Sequence, residues 1–307
     1  MLSEFCSSHC DELSQSLANT EQVYRQMRTG QFFGRWRRLQ LPGVTIVENE
    51  INFGIHNSAA IADGFVIGFL PVRQGGTLIL DGHCWDSPCV FWAQPKTRPI
   101  LSIPSDFMSY TVEFDLQRLY RTANALGISL PSSNGDLGCI SNPECCAAAR
   151  DIIAQAFCAG ADCSAPTLQQ HADQFVTDWL QLLGRASGCP QPVDRSTLHQ
   201  RRQAALKAAD YMNTHLCEDL SLADLCQIAG VTDRTLRNGF HDLFGISPKR
   251  WLKAQRLSAA RRDLKEADPK RDHVGTIAIK YGFTQLAHFA TDYRKQFGEP
   301  PSHTLRS

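Results

Sequence analysis

Between residues 44 and 115 short apolar runs alternate with clusters of Gly, Pro, Asn and Asp. The runs are GVTIVENEI, GFVIGFL, TLILDG, CVFWAQ and SYTVEFDL, and the breaks include RQGG and QPKTRP. This punctuation predicts hairpins in a β-rich unit. Upstream, SQSLANTEQVYRQMRTG reads as a helix; downstream, helical spacing covers about 116–126, 143–159 and 168–184. GRASGCPQPVDRS, residues 184–196, is rich in small residues and proline and reads as a linker. Everything beyond it follows a helical period. The expected fold class is therefore α+β. A β-rich N-terminal regulatory domain with flanking helices would span 1–185, a linker 186–196, and an all-α domain 197–307.

The helical part carries its own start and stop signals. Leu198, Ala205, Ala209, Met212 and Leu216 recur at helical spacing and predict one buried stripe. Ser221 with Asp224 three residues on is a form of the capping box, and Gly230 marks a helix end. Thr232 then caps a second helix whose inward face is Leu236, Phe240, Leu243 and Phe244. Helix, glycine turn and helix make a helix-turn-helix pattern.

The pattern is then written again. Leu225, Cys226, Ala229, Gly230, Val231 and Thr232 fall on Ile277, Ala278, Tyr281, Gly282, Phe283 and Thr284 at an offset of 52. At an offset of 53, Leu236, Phe240, Phe244, Gly245 and Pro248 fall on Phe289, Tyr293, Phe297, Gly298 and Pro301. The chain thus holds two tandem helix-turn-helix units. Between them, SPKRWLKAQRLSAARRDLKEAD begins with a serine cap and a proline suited to the first helical turn. A helix of about 19 residues spans ~28 Å, against ~34 Å for a turn of B-DNA. One polypeptide can then present two reading helices to successive major-groove segments.

Charge sharpens this picture. The whole chain is neutral, with 31 Lys+Arg and 31 Asp+Glu, but from Ser196 onward 18 basic residues face 12 acidic ones, a balance of +6. The front carries the compensating excess of acid, so only the back is suited to a polyanion. No run of 18 apolar residues appears, and MLSEFCSSHCDELSQSL lacks the basic start and apolar stretch of a secretory signal. A cytoplasmic location without membrane contact is the expectation. Twelve scattered cysteines read as free thiols. The clusters Cys6/His9/Cys10 and His83/Cys84/Cys89 lack a paired C-x2-C partner, so neither a metal nor any other cofactor is expected.

With these residues in view, YGFTQLAHFATDYRKQFGEPPSHTL and FHDLFGISPKRWLKAQRLSAARRDL resemble the tandem helix-turn-helix domain of the AraC/XylS family of transcription regulators over residues 200–305. GQFFGRWRRLQLPGVTIVENEIN bears a weaker resemblance to the ethanolamine-utilisation regulator branch of that family. The resemblance implies a DNA-binding activator that answers a small-molecule effector, contacts RNA polymerase beside double-stranded promoter DNA, and forms a homodimer through its front half. It also implies that Arg234, Arg237 and Asn238 reach base edges, where Arg suits guanine and Asn suits adenine. In the second unit the outward positions include Gln285, Leu286 and His288 as base readers. Lys253, Lys280, Arg294 and Lys295 are the expected phosphate contacts, which position without specifying. The first unit, the more basic, is expected to discriminate sequence more.

In the front half, Arg35, Trp36, Arg37 and Arg38 read either as an anion-binding patch or as an amphipathic strand with Trp36 and Arg38 on one side. Trp85 and Trp92 line a pocket or fill a core. No P-C-H-R motif, Walker loop, G-x-S-x-G or H-E-x-x-H occurs, so an enzyme is not expected. Two alternatives use the same DNA-binding half: a thiol or metal sensor triggered at Cys84 and Cys89, and a regulator controlled by a protein partner.

Overall fold

The computed structural model describes residues 1–15, 17–27, 29–130, 137–159, 165–186 and 196–306. Its β-rich part is two antiparallel sheets facing each other. The larger has the order β1 (Leu2–Ser7), β3 (Gly34–Leu41), β4 (Val44–Ile51), β11 (Phe107–Asp115), β6 (Phe65–Gln74), β9 (Val90–Ala93) and β12 (Leu137–Ile140). The smaller runs β2 (Thr20–Gln26), β5 (Ile55–Ile61), β10 (Ile100–Ile103), β7 (Leu78–Leu80) and β8 (His83–Trp85).

The large sheet is covered on both faces, which explains why its strands read as nearly continuous apolar runs. Leu39, Ile46, Val112 and Phe114 pack outward under α1 (Leu116–Leu126), α2 (Pro143–Ala159) and α3 (Ala165–Ala186), with Trp179 fully buried among them. The alternate residues Val47, Ile51, Ile67 and Phe107 face the small sheet. Trp92 fills the first of these cores; Trp85 packs edge-on against Phe91 in the second.

One expected helix is not a helix. The stretch 14–30 holds the end of a 3₁₀ turn (Cys10–Gln15) and then β2, which pairs with β5 from Thr20↔Ile61 to Gln26↔Ile55. Its apolar residues fit a helical period, but Thr20, Gln22 and Gln26 are buried on one face at the strand period of two. Pairing to β5 and polar partners inside the sandwich override local propensity here.

The remaining helices are α4 (Ser196–Thr214), α5 (Leu222–Ala229), α6 (Asp233–Phe244), α7 (Pro248–Glu266), α8 (Val274–Lys280), α9 (Leu286–Phe297) and α10 (Pro301–Thr304). Ala205, Ala209 and Met212 are buried as the stripe predicts, while the Leu198 side chain and the linker residues 187–195 lie outside the described residues. The small sheet is sandwiched: α6 contacts β7 and β10, and α7 contacts β2. No helix among the described residues is long and apolar enough to cross a membrane.

Candidate nucleic-acid interface

Both units are built by local signals. Ser221 and Asp224 form a complete capping box, with Asp224 N–H donating to Ser221 Oγ at 3.2 Å and Ser221 N–H to Asp224 Oδ2 at 3.0 Å. Gly230 follows at φ +70°, the left-handed region where a Cβ is strained, and Gly282 repeats it at φ +78°. Thr232 caps α6 through Thr235 N–H at 3.3 Å, and Ser247 caps α7 with Pro248 in its first turn.

α7 serves both units at once. Its Trp251, Leu252 and Ala254 complete the core of α4–α6, and its Leu257, Ala259, Ala260 and Leu264 complete that of α8 and α9. The pairing of the two units is therefore carried by a continuous 19-residue helix rather than by a loop.

On α6, Arg234, Arg237 and His241 are exposed on the face opposite Leu236 and Phe240, and Asn238 is half-buried beside them. Arg237 is held by Asp233 one turn back through two guanidinium contacts, which raises its pKa and extends the fork along the first turn. In the second unit Gln285, Leu286 and His288 are exposed at the start of α9, with Arg294 and Lys295 exposed near its end. Leu286 is 46% exposed yet also covers Gly275 of α8, whose added Cβ would lie 3.2 Å from it. It both packs and presents a methyl edge.

Two of the expected phosphate contacts are engaged within the protein. Lys253 Nζ lies 2.6 Å from Asp292, tying α7 to α9. Lys280 Nζ lies 2.7 Å from Asp263, a bond that raises the lysine pKa, and Tyr281 donates to the same carboxylate oxygen at 2.9 Å.

Other bases of α7 are structural. Arg256 donates from Nε to Leu216 O at 2.9 Å and also bonds Glu218 O, closing the turn between α4 and α5; burial lowers its pKa. Arg261 is 5% exposed and reaches Glu299 at 3.0 Å and the His9 ring at 2.7 Å. No sequence spacing marks either role, because the partners are carbonyls and side chains far along the chain. Gly239 lets α6 approach α4, and a Cβ there would lie 2.5 Å from Arg201 O.

The front half meets the first unit through the small sheet. His56 of β5 stacks edge-on against Phe244 at 4.9 Å, Ser102 of β10 donates to Phe244 O at 3.5 Å, and Asp81 accepts from Arg202 of α4 at 3.0 Å. Met27 and Ile100 enter the same apolar core as Phe240 and Trp251. At the second unit, Gln26 and Gln296 exchange side-chain amides and backbone carbonyls, with Gln26 Nε2 to Gln296 O at 2.5 Å.

The patch at 35–38 is a strand. Trp36 is buried, Arg35 lies 3.0 Å from Glu50, and Arg37 pairs with Glu48 at 3.4 Å while lying over the Phe157 ring at 5.0 Å. Among the cysteines, Cys84 is exposed and Cys89 buried; the neighbouring Cys139 thiol, and then burial, push the Cys89 thiol up.

Residues 225–307 match a family of helix-turn-helix domains. Over 100 residues the chain is 39% identical to a protein named "Probable thc operon regulatory protein" from Rhodococcus erythropolis, covering 33% of this chain and 30% of that one. Over 144 residues it is 30% identical to the XylDLEGF operon transcriptional activator of Pseudomonas putida, covering 47% and 43%. A solved transcriptional regulator from Chromobacterium violaceum with an AraC-type DNA-binding domain is 26% identical, covering 34% of this chain and 89% of that one, at a TM-score of 0.32. The matched stretches span less than half the length of either curated relative.

Proposed function

We propose that residues 225–307, which match a family of helix-turn-helix domains, are a DNA-binding domain of the AraC/XylS type, and that the whole chain is a sequence-specific transcription activator responding to a small effector. The observation that carries this is α7, one helix whose two halves complete the cores beneath α6 and α9. Two reading helices on one rigid element are suited to two adjacent major-groove segments.

In this reading Arg234, Arg237 and Asn238 read bases from the first unit, and Gln285, Leu286 and His288 from the second. Asp233 keeps the Arg237 fork in the orientation a guanine edge requires. Arg294 and Lys295 contact phosphate, and Lys253 and Lys280 do so only as far as their carboxylate partners release them. Residues 1–185 sense the effector and dimerise, 186–196 link, and RNA polymerase is the partner on the promoter.

Effector response is supported by the small sheet, whose two faces look in different directions. Asn57, Leu101 and Ile103 line the space between the sheets, while His56, Ile100 and Ser102 on the alternate positions meet the first unit. A molecule bound on one face presses on strands that touch Phe244 on the other.

The test is selection of duplex DNA from a random pool by the full chain at two salt concentrations. The expected site has two elements about one helical turn apart, and affinity falls steeply as salt rises. Binding that is indifferent to sequence overturns the reading.

A further inference from the structure

The space between the two sheets is a partly open, mostly apolar chamber. Its cavity volume is ≈ 70 Å³, about half the ~150 Å³ of an apolar cavity that encloses a benzene. Because the chamber is partly open, a single-ring organic molecule can seat in it without being wholly enclosed. Phe69 stacks between Phe91 and Phe107 at 6.0 and 6.2 Å, giving an aromatic wall suited to a flat ring.

The polar groups of this chamber are all neutral. Asn49, Asn57, Gln22 and Tyr24 line it, and none of the described lining residues is Asp, Glu, Lys, Arg or His. Thr20 lines it too but turns its hydroxyl to the buried Glu113 at 3.0 Å, so a carboxylate stands behind that wall. An ion entering here would shed its water and meet no opposite charge in the lining, which is costly.

Two amide carbonyls await a donor. Asn57 is 6% exposed; its Nδ2 donates to Gln22 Oε1 at 3.4 Å, but its Oδ1 is buried without a hydrogen-bond partner. Asn49 is alike: Nδ2 donates to Thr111 Oγ1 at 3.4 Å and Oδ1 has no partner. A buried acceptor left unpaired carries a desolvation cost that an incoming hydroxyl or N–H removes.

We propose that this chamber binds an uncharged, mainly apolar small molecule of about one ring that carries a hydroxyl or N–H donor, held by the Asn57 and Asn49 carbonyls against the Phe69–Phe91–Phe107 wall. The proposal rests on the reading of the chain as effector-responsive and names the chemical class of its effector. It separates neutral donors from carboxylates and from ammonium ions of the same skeleton.

The experiment is calorimetry on the full chain with benzyl alcohol, benzoate and benzylammonium. The alcohol is expected to bind at least about ten-fold more tightly than either ion. Asn57→Leu, which keeps the volume and removes the carbonyl, is expected to weaken the alcohol about five-fold and to leave toluene binding unchanged, which also reports an intact chamber. Equal or tighter binding of either ion, no binding of any of the four, or an alcohol affinity untouched by Asn57→Leu overturns the proposal. A chain that selects a bipartite DNA site but fails these tests loses this inference alone. One that binds the alcohol but no DNA sequence loses the function proposed above instead.

Discussion

In the first unit α6 starts at Thr232, whose hydroxyl accepts from Thr235 N–H; in the second, α9 starts at Gln285, whose side chain makes no capping bond. The helices before them differ in the same way, a full capping box at Ser221 against an uncapped start at His273. The repeat sets Gly239 opposite Asp292. The glycine brings α6 against the α4 backbone, and the aspartate ties α9 to Lys253 of α7. The first unit is also the one whose core includes residues of the β-rich half, Met27 and Ile100. Duplication kept the apolar frame, while caps, close approaches and docking contacts diverged. The unit whose core takes in front-half residues is the better-capped one, with Arg234 and Arg237 on its outward face.

Loss of base reading is the largest expected effect of this asymmetry. Arg234→Ala is expected to cost about 1–3 kcal/mol of specific DNA affinity, and His288→Ala clearly less, measured on the selected site by titration. Equal losses would erase the proposed dominance of the first unit.

Next is Gly239→Ala. Its Cβ must displace the Arg201 carbonyl, so a loss of about 1–3 kcal/mol in denaturant unfolding is expected. At the matching position Asp292→Ala breaks a partly exposed ion pair and should cost under about 1 kcal/mol.

His56 tests the docking contact by pH. Burial, and then the charge of Arg25, lowers its pKa from 6.5 to about 3. Above pH 6.5 the ring is neutral whether folded or unfolded. Below it the unfolded chain takes up a proton that the folded chain refuses, so this stability is lost as pH falls toward 3. By pH 5 the loss from this group is about 2 kcal/mol. His56→Leu should flatten that part of the stability profile; an unchanged slope would show that the ring is protonated in place.

The smallest effect concerns the caps. Thr232→Ala should cost about 1 kcal/mol, whereas Gln285→Ser should add a few tenths to about 1 kcal/mol by supplying the missing cap. Thermal unfolding of the two variants checks the sign in each case.

Much of the helical half was readable because its signals are short in range. Ser221, Gly230, Thr232, Ser247 and Pro248 act within four residues of themselves, and the inward faces repeat at a fixed period, so both turns and the shared helix could be placed by eye. The strands at 44–51, 65–74, 90–93 and 107–115 were legible for a similar reason, as apolar runs buried on both faces. The stretch 20–26 was not: its alternation is of polar residues, buried because the large sheet faces Thr20 and Gln22 and the helical half meets Gln26.

The sequence by itself thus determined the two units, the helix that joins them, the β-rich character of the front and the outward positions of α6 and α9. Tertiary structure alone decided that Arg256 and Arg261 are structural, that Lys253 and Lys280 are paired, and that one small sheet has a chamber on one face and Phe244 on the other. The physical reason is range. Caps and periodicities are settled by neighbours a turn away, but a buried charge or a strand face takes its role from partners tens to hundreds of residues distant.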